Sequence, residues 1–229
     1  MKPTRRTFTL SATAVALAAA LGSVPARANS AEEARALVDQ ATATVNSFAT
    51  NADYAALPAL LRKAKGVLIY PRIIEGGFII GGAGGTGVLL VRDEKTGTFH
   101  GPAFYSMGGV SIGFLAGGQA AEVMLLVNSD KALNSLLSTT VKLGAGASIA
   151  VGPRGSGEGA AMTADFISFS RNRGAFANMS FNGQVIGVRE TLNVGFYSKP
   201  VTPVDILITR TVSNTDAEPL RAALKAMTK

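Results

Sequence analysis

Three groupings of residues in this chain of 229 could do chemistry. Gly109-Val-Ser111-Ile-Gly113 has the spacing of a nucleophile elbow, in which a strained strand-to-helix turn presents a serine to a histidine base. Gly82-Ala-Gly84-Gly-Thr-Gly87 has the G-x-G-x-x-G spacing that lets a pyrophosphate approach backbone amides where a helix follows. The third grouping is cationic: Arg62, Lys63 and Lys65, then Arg72, then Arg171-Asn-Arg173, where a turn would project two guanidiniums. Near an anionic bilayer each such group contributes roughly 1 kcal/mol, and the contributions add.

The first two groupings lack their partners. His100 is the only histidine, and it precedes Ser111 instead of following an acid as the elbow's chain order requires. A hydroxyl without an activating base is a poor nucleophile at neutral pH. Val88-Leu-Leu-Val91 after the glycine motif is β-type, so a tightly packed hairpin is expected in place of a dinucleotide loop. With one histidine and no cysteine the usual zinc sites cannot form, and no carboxylate pair stands out. No catalytic residue, cofactor or metal is expected. The basic residues remain, with a solvated rim as their alternative reading.

The elements that would position them begin after residue 28. Thr4-Arg5-Arg6-Thr7-Phe8-Thr9-Leu10 is a twin-arginine pattern, an Ala-rich apolar run follows, and Ala26-Arg27-Ala28 is an A-x-A cleavage site. Residues 1–28 read as an export signal and 29–229 as one domain, placing the protein in a periplasm, where a peripheral position on a membrane is open to it. Removing Lys2, Arg5, Arg6 and Arg27 lowers the formal net charge from +7 to +3, too little to argue for nucleic acid.

Ala34, Leu37, Val38, Ala41, Val45 and Phe48 recur at helical spacing, and Ser30-Ala-Glu-Glu33 has capping-box form, so a helix is expected from Ala31 to Thr50. Pro58 opens a second short helix that Gly66 would end. From Gly66 to Gly187 the chain holds 24 of its 26 glycines among short Val, Ile, Leu and Phe runs, the mark of bulges, bends and close backbones in a sheet. Strands are expected at 67–70, 78–82, 88–92, 103–106, 111–116, 123–128, 147–151, 166–170 and 179–181. A helix capped by Ser129 spans Asp130 to Ser138, and another is capped by Thr215 or Asp216. Gly76–Asp93 and Gly108–Ser129 share paired glycines, an apolar run and a closing Leu-Leu-Val, a weak hairpin repeat. The fold class is α+β: a single glycine-rich, strongly curved antiparallel or barrel-like sheet flanked by N- and C-terminal helices.

Six ordered motifs resemble the SYLF domain family. They are Leu61-Arg-Lys-Ala-Lys-Gly66-Val-Leu-Ile-Tyr-Pro71, the glycine run from Gly76 to Val91, Pro102-Ala-Phe-Tyr-Ser106, Leu143-Gly-Ala-Gly-Ala-Ser148, Val151-Gly-Pro153 and Ser168-Phe-Ser-Arg171-Asn-Arg-Gly174-Ala-Phe-Ala177. The resemblance implies a non-enzymatic lipid-binding module, some of whose fungal relatives bind actin. It implies lipid contact by the first helix and by Arg62, Lys63 and Lys65; Arg72, Arg171 and Arg173 are added from charge and turn placement. Two departures stand out. Phe99, followed by His100, occupies the place of the family's usual tryptophan, and Arg35 is the only cation between Ala31 and Thr50. An exported chain meets neither actin nor phosphoinositides, so the expected partner is another anionic phospholipid surface. The alternatives are a periplasmic protein-interaction or envelope-structural module and a hydrolase using Ser111.

Overall fold

The structure, a computed structural model, describes residues 26–77, 80–112, 117–138, 140–153, 163–173, 181 and 183–229. Residues 1–25 of the expected export signal at 1–28, residues 78–79 and 113–116 of two expected strands, and most of the expected strand at 179–181 lie outside the described residues. Helix α1 (Ala26–Ala49) and helix α2 (Leu57–Lys63) lead into a sheet of β1 (Gly66–Gly77), β2 (Ile80–Arg92), β3 (Phe99–Ile112) and β4 (Gly117–Val127). Helix α3 (Asp130–Ser138) follows, then β5 (Thr140–Lys142), β6 (Ile149–Val151), β7 (Phe166–Arg173) and β8 (Val185–Val188). Helices α4 (Glu190–Tyr197), α5 (Pro203–Leu207) and α6 (Glu218–Met227) close the chain.

The eight strands form one strongly curved half-barrel in the order β5-β8-β3-β2-β1-β4-β7-β6. The expectation of an α+β fold with a curved sheet between terminal helices therefore holds. It needs one correction: β6 runs parallel to β7, so the sheet is mixed. Several expected short strands are halves of long ones. The described parts of the runs at 78–82 and 88–92 belong to β2, and those of 103–106 and 111–116 to β3. Glycine within these runs does not end a strand; it lets a long strand bend.

Contacts show why. The β1–β2 ladder slips between Ile69 and Arg72, around Pro71, which has no N–H to give. A Cβ on Gly87 would stand 2.4 Å from the Ile69 carbonyl oxygen and 2.5 Å from the Tyr70 ring. One on Gly85 would stand 2.4 Å from the Arg72 carbonyl oxygen. These glycines make room for the bulge. Gly66 does the same at the strand's start, where a Cβ would lie 2.6 Å from the Leu90 carbonyl oxygen, so it opens β1 and is not the cap of α2, whose C-cap is Ala64.

Both faces of the sheet are covered, because alternate residues feed two cores. Val67, Ile69, Val88, Leu90, Phe104, Met124, Leu126 and Phe169 pack beneath α1, α2, α4 and α6. Leu68, Tyr70, Ile73, Leu89, Tyr105, Val123 and Leu125 pack with α3, α5 and the region around β5. The Leu-Leu-Val repeat has a structural meaning: Gly66 of β1 lies between Val91 of β2 and Val127 of β4, in equivalent register on either side.

Helix α1 carries the expected stripe of Ala34, Val38, Ala41, Val45 and Phe48 into the first core, but it starts at Ala26, so Ser30 lies within it and is not its cap. Gly195 of α4 lets α1 approach, since a Cβ there would be 2.7 Å from the Ser30 carbonyl carbon. Buried Asn193 accepts the Phe104 N–H at 2.9 Å beyond the end of the β3–β8 ladder.

Asp165 ties the corner where α3, β6 and β7 meet. Its carboxylate accepts from the Ser129 hydroxyl at 2.6 Å and from the Ser148 amide and hydroxyl at 2.9 Å. Ser129 in turn caps α3 by accepting from the Ala132 amide at 3.1 Å, as expected from sequence.

Two predictions follow from these contacts. Gly87→Ala should cost about 2–3 kcal/mol in denaturant unfolding through the backbone clash. Gly187→Ala, which has nothing within 4 Å of the new methyl, should be neutral or slightly stabilising. The hydroxyl of Ser129 and the amide of Ser148 pull the Asp165 carboxyl down to about 2. Protonation therefore favours the unfolded chain, and this stabilisation, about 2 kcal/mol, is complete above pH ~4 and fades between pH ~4 and ~2. Thermal melts across that range should fall more steeply for the wild type than for Asp165→Asn.

Candidate functional site

The distal half of β1 leaves the shelter of the helices. Arg72 is exposed there, and so is Ile74, at 52 % of its free surface although it belongs to a central strand. Ile73 and Glu75, alternating with them, are buried on the opposite face. Between this part of the sheet and α1 lies a cleft of about 470 Å³, lined by Gln40 and Thr44 of α1, Pro71 and Arg72 of β1, and Ala120 and Glu122 of β4.

The neighbouring strands bring a second guanidinium to this row. Arg171 of β7 is in register with Glu122 of β4. Its Nε donates to Glu122 Oε2 at 2.8 Å and its Nη2 to the same oxygen at 2.5 Å. The Glu122 side chain is 9 % exposed and the Arg171 side chain 34 %, so the pair forms at the buried edge of the cleft. The β1–β4 ladder pairs Tyr70 with Val123 and Ile73 with Ala121, which sets Arg72 beside Glu122 from the other side. The order across the sheet is Arg72, Glu122, Arg171.

The expected turn at Arg171-Asn-Arg173 is instead the end of β7, with the three residues opposite Glu122, Ala121 and Ala120. Serine and asparagine between arginines read as loop chemistry, but an edge-side strand over a polar row accepts them equally well. Arg173 is placed by its backbone alone; its side chain lies outside the described set.

The other cations stand elsewhere. Arg62 and Lys63 are exposed at the C-terminal turn of α2, where they face the negative end of the helix. The six residue steps from Gly66 to Arg72 separate them from the cleft by about 20 Å along β1. Lys65 is engaged: its ammonium pairs with Glu94 and, at 3.2 Å, with Asp130, and the Glu94 hydrogen bond leads in raising its pKa. It pins the β2–β3 turn to the start of α3. The six candidate cations thus form two groups, not one continuous patch.

The nucleophile and dinucleotide motifs fall inside strands. Ser111 pairs with Gly81 within β3, on the same strand as His100 and about 36 Å from it by strand rise, so no elbow forms there. Burial first, then Arg210 and Arg221, hold the His100 imidazole below its ordinary pKa. The glycine motif from Gly82 to Gly87 is hydrogen-bonded to β1 on one side and β3 on the other, leaving no helix N-terminus to receive a phosphate. Among the described residues no group of three or more metal-ligating side chains occurs.

Sequence reasoning missed Thr44, Gln40 and Glu122. For Glu122 a signal existed, since it is the one charge in the run from Ala120 to Val127. Thr44 lies next to the apolar stripe of α1 and is 2 % exposed, but threonine carries no mark of its own there.

Comparison with known proteins completes the picture. A profile of the family described as "Ysc84: Las17-binding protein actin regulator" matches residues 108–227, more than half of the chain. The chain belongs to the Ysc84 family. This is the SYLF family of the sequence motifs. It is 31 % identical over 182 residues to Protein YSC84 of Saccharomyces cerevisiae, covering 76 % of this chain and 38 % of that protein. It is 30 % identical over 182 residues to LAS seventeen-binding protein 3 of the same yeast, covering 76 % and 39 %. It is 29 % identical over 179 residues to human SH3 domain-containing YSC84-like protein 1, covering 76 % and 52 %. The chain thus spans about two-fifths to one-half of the length of these relatives. No solved structure matches. The family description and these names speak of binding and regulation and name no reaction, which is consistent with a non-catalytic interaction module.

Removing the Glu122 carboxylate would leave Arg171 half-buried without its anion. Glu122→Ala should lower stability by about 1–3 kcal/mol. Adding Arg171→Ala to it should cost little more, so that a double-mutant cycle read by chemical denaturation returns a clear coupling energy.

Proposed function

We propose that this protein is an exported, non-catalytic module that binds anionic phospholipid surfaces. The observation that carries the reading is the pairing of an exposed cation with an exposed apolar side chain on a sheet face that the described helices leave uncovered, Arg72 beside Ile74. Arg72 makes no hydrogen bond or ion pair to the described residues. Such a pair suits a membrane interface, where the guanidinium meets phosphate and the isoleucine reaches the acyl boundary. Arg171 extends the cationic row on one side. Arg62 and Lys63 form a separate cationic spot at the end of α2. Lys65 acts in this reading through structure, since two carboxylates occupy it.

Export rests on the twin-arginine pattern and cleavage motif of residues 1–28 and would place the lipid partner on a membrane facing the periplasm. No helix among the described residues is long and apolar enough to cross a membrane. A protein partner is the second reading, favoured by relatives whose names record binding to Las17.

Vesicle sedimentation separates the two. Recovery with vesicles should rise with the fraction of phosphatidylglycerol, fall between low and high salt as the charges are screened, and drop several-fold in Arg72→Gln/Ile74→Ser. Equal recovery with neutral and anionic vesicles would reject the lipid reading in favour of a protein partner.

A further inference from the structure

We propose that the cleft between α1 and strands β1 and β4 is a binding site for a singly charged phosphodiester, with the Arg72 guanidinium and the Thr44 hydroxyl as its donors. The proposal deepens the lipid-surface reading and rests on it for the source of the ligand. Its volume of about 470 Å³ lies within the range of small-molecule sites.

Thr44 is the telling residue. It is 2 % exposed, lines the cleft, and its hydroxyl makes no hydrogen bond to the described residues. Thr42 on the same helix and Thr50 just past its end behave differently, donating to the carbonyls of Val38 at 2.9 Å and Asn46 at 3.2 Å. With no partner among the described residues and a place on the cleft wall, this hydroxyl is open to a ligand that fills the cleft.

Arg72 faces the same space from a fixed backbone. It closes the bulge around Pro71, and its carbonyl sits where Gly85 leaves room for it. A bound anion would find this guanidinium anchored on a fixed backbone and not satisfied elsewhere, free to make charge-assisted hydrogen bonds. Gln40 adds an amide at the outer lip, able to meet hydroxyl groups.

Charge sets the ligand class. Among the described side chains of the row, Arg72 and Arg171 contribute two positive charges and Glu122 one negative, a formal charge of +1. A phosphodiester monoanion balances it. A phosphomonoester dianion would bring an uncompensated negative charge next to a carboxylate already committed to Arg171, an unfavourable contact in a partly desolvated cleft. The site therefore favours a diester such as a glycerophosphoglycerol headgroup over terminal phosphates.

The test is an amide chemical-shift titration of the full-length chain with glycerophosphoglycerol, glycerol 3-phosphate and inorganic phosphate, run beside vesicle sedimentation. The diester should shift the amides of Thr44, Arg72 and Glu122 and bind at least about fivefold more tightly than either monoester or phosphate. Thr44→Val and Arg72→Gln should each weaken it about tenfold, whereas Lys225→Gln, an equal loss of charge on α6, should not. Arg72 is exposed, so its variant reports even if Thr44→Val fails to fold. No diester binding while vesicles still sediment would overturn the pocket and leave the surface reading standing. Diester binding without vesicle binding would keep the pocket as a site for a free diester and overturn the surface reading. Unchanged affinity in both variants, or tighter binding of a monoester, would overturn the assignment.

Discussion

The sheet's two edges are joined by a short piece of chain, and that tether governs the molecule. Strands β5 and β6 are the outermost members of an eight-stranded order, yet only residues 143–148 separate them. Laid flat, the sheet would hold its edges about 34 Å apart, seven spacings of 4.8 Å. Seven residue steps from Lys142 to Ile149 reach at most about 25 Å even when fully extended. They are not extended: the Gly144 amide bonds to the Ala147 carbonyl at 2.8 Å, and Leu143 and Ala147 form a bridge. The sheet has to curl, and Leu143-Gly-Ala-Gly-Ala-Ser148 is the staple that makes it do so.

Curling on this scale concentrates strain at the middle strands, and the glycines answer it there. The outer strands β5 and β6 have three residues each, while β1, β2 and β3 have 12, 13 and 14. Long, strongly bent strands bring neighbouring backbones closer than a Cβ allows, which is what the positions of Gly66, Gly85 and Gly87 record. The same curvature divides the interior into two cores. One face gathers α3, α5 and the staple; the other is roofed by α1, α2, α4 and α6. The roof is shorter than the strands beneath it. What it leaves bare is the distal half of β1 with its neighbours, and the cleft opens at the roof's edge.

Much of this was legible in the sequence, for identifiable reasons. The stripe from Ala34 to Phe48, the cap at Ser129, and Leu220, Leu224 and Met227 of α6 each obey local rules, and each is where those rules put it. Strand lengths were misjudged because glycine usually punctuates, whereas here it bends a continuing strand. Short β5 and β8 and helices α4 and α5 escaped notice because tertiary contacts hold them: Asn193 docks on the β3 amide of Phe104, an interaction no local pattern announces. The candidate cations were found by type, but their grouping was not. Whether Arg171 faces Glu122 depends on the register of β4 against β7, and whether Lys65 is free depends on a turn at Glu94 and a helix start at Asp130.

Shape and charge placement turn out to be one feature. Pro71 cannot donate to the ladder, so β1 must slip there; the slip needs Gly85 and Gly87 opposite, and it also breaks the alternation that would otherwise continue along the strand. Because of that break Tyr70 and Ile73, three residues apart, both face the second core, while Arg72 is exposed beside Glu122. A strand of the same sequence without the bulge would turn Arg72 toward the same face as Tyr70 and Leu68, into an apolar core. The cation on the bare face is therefore a consequence of how the barrel bends, and a sequence that gave up the glycines would lose the curvature and the binding surface together.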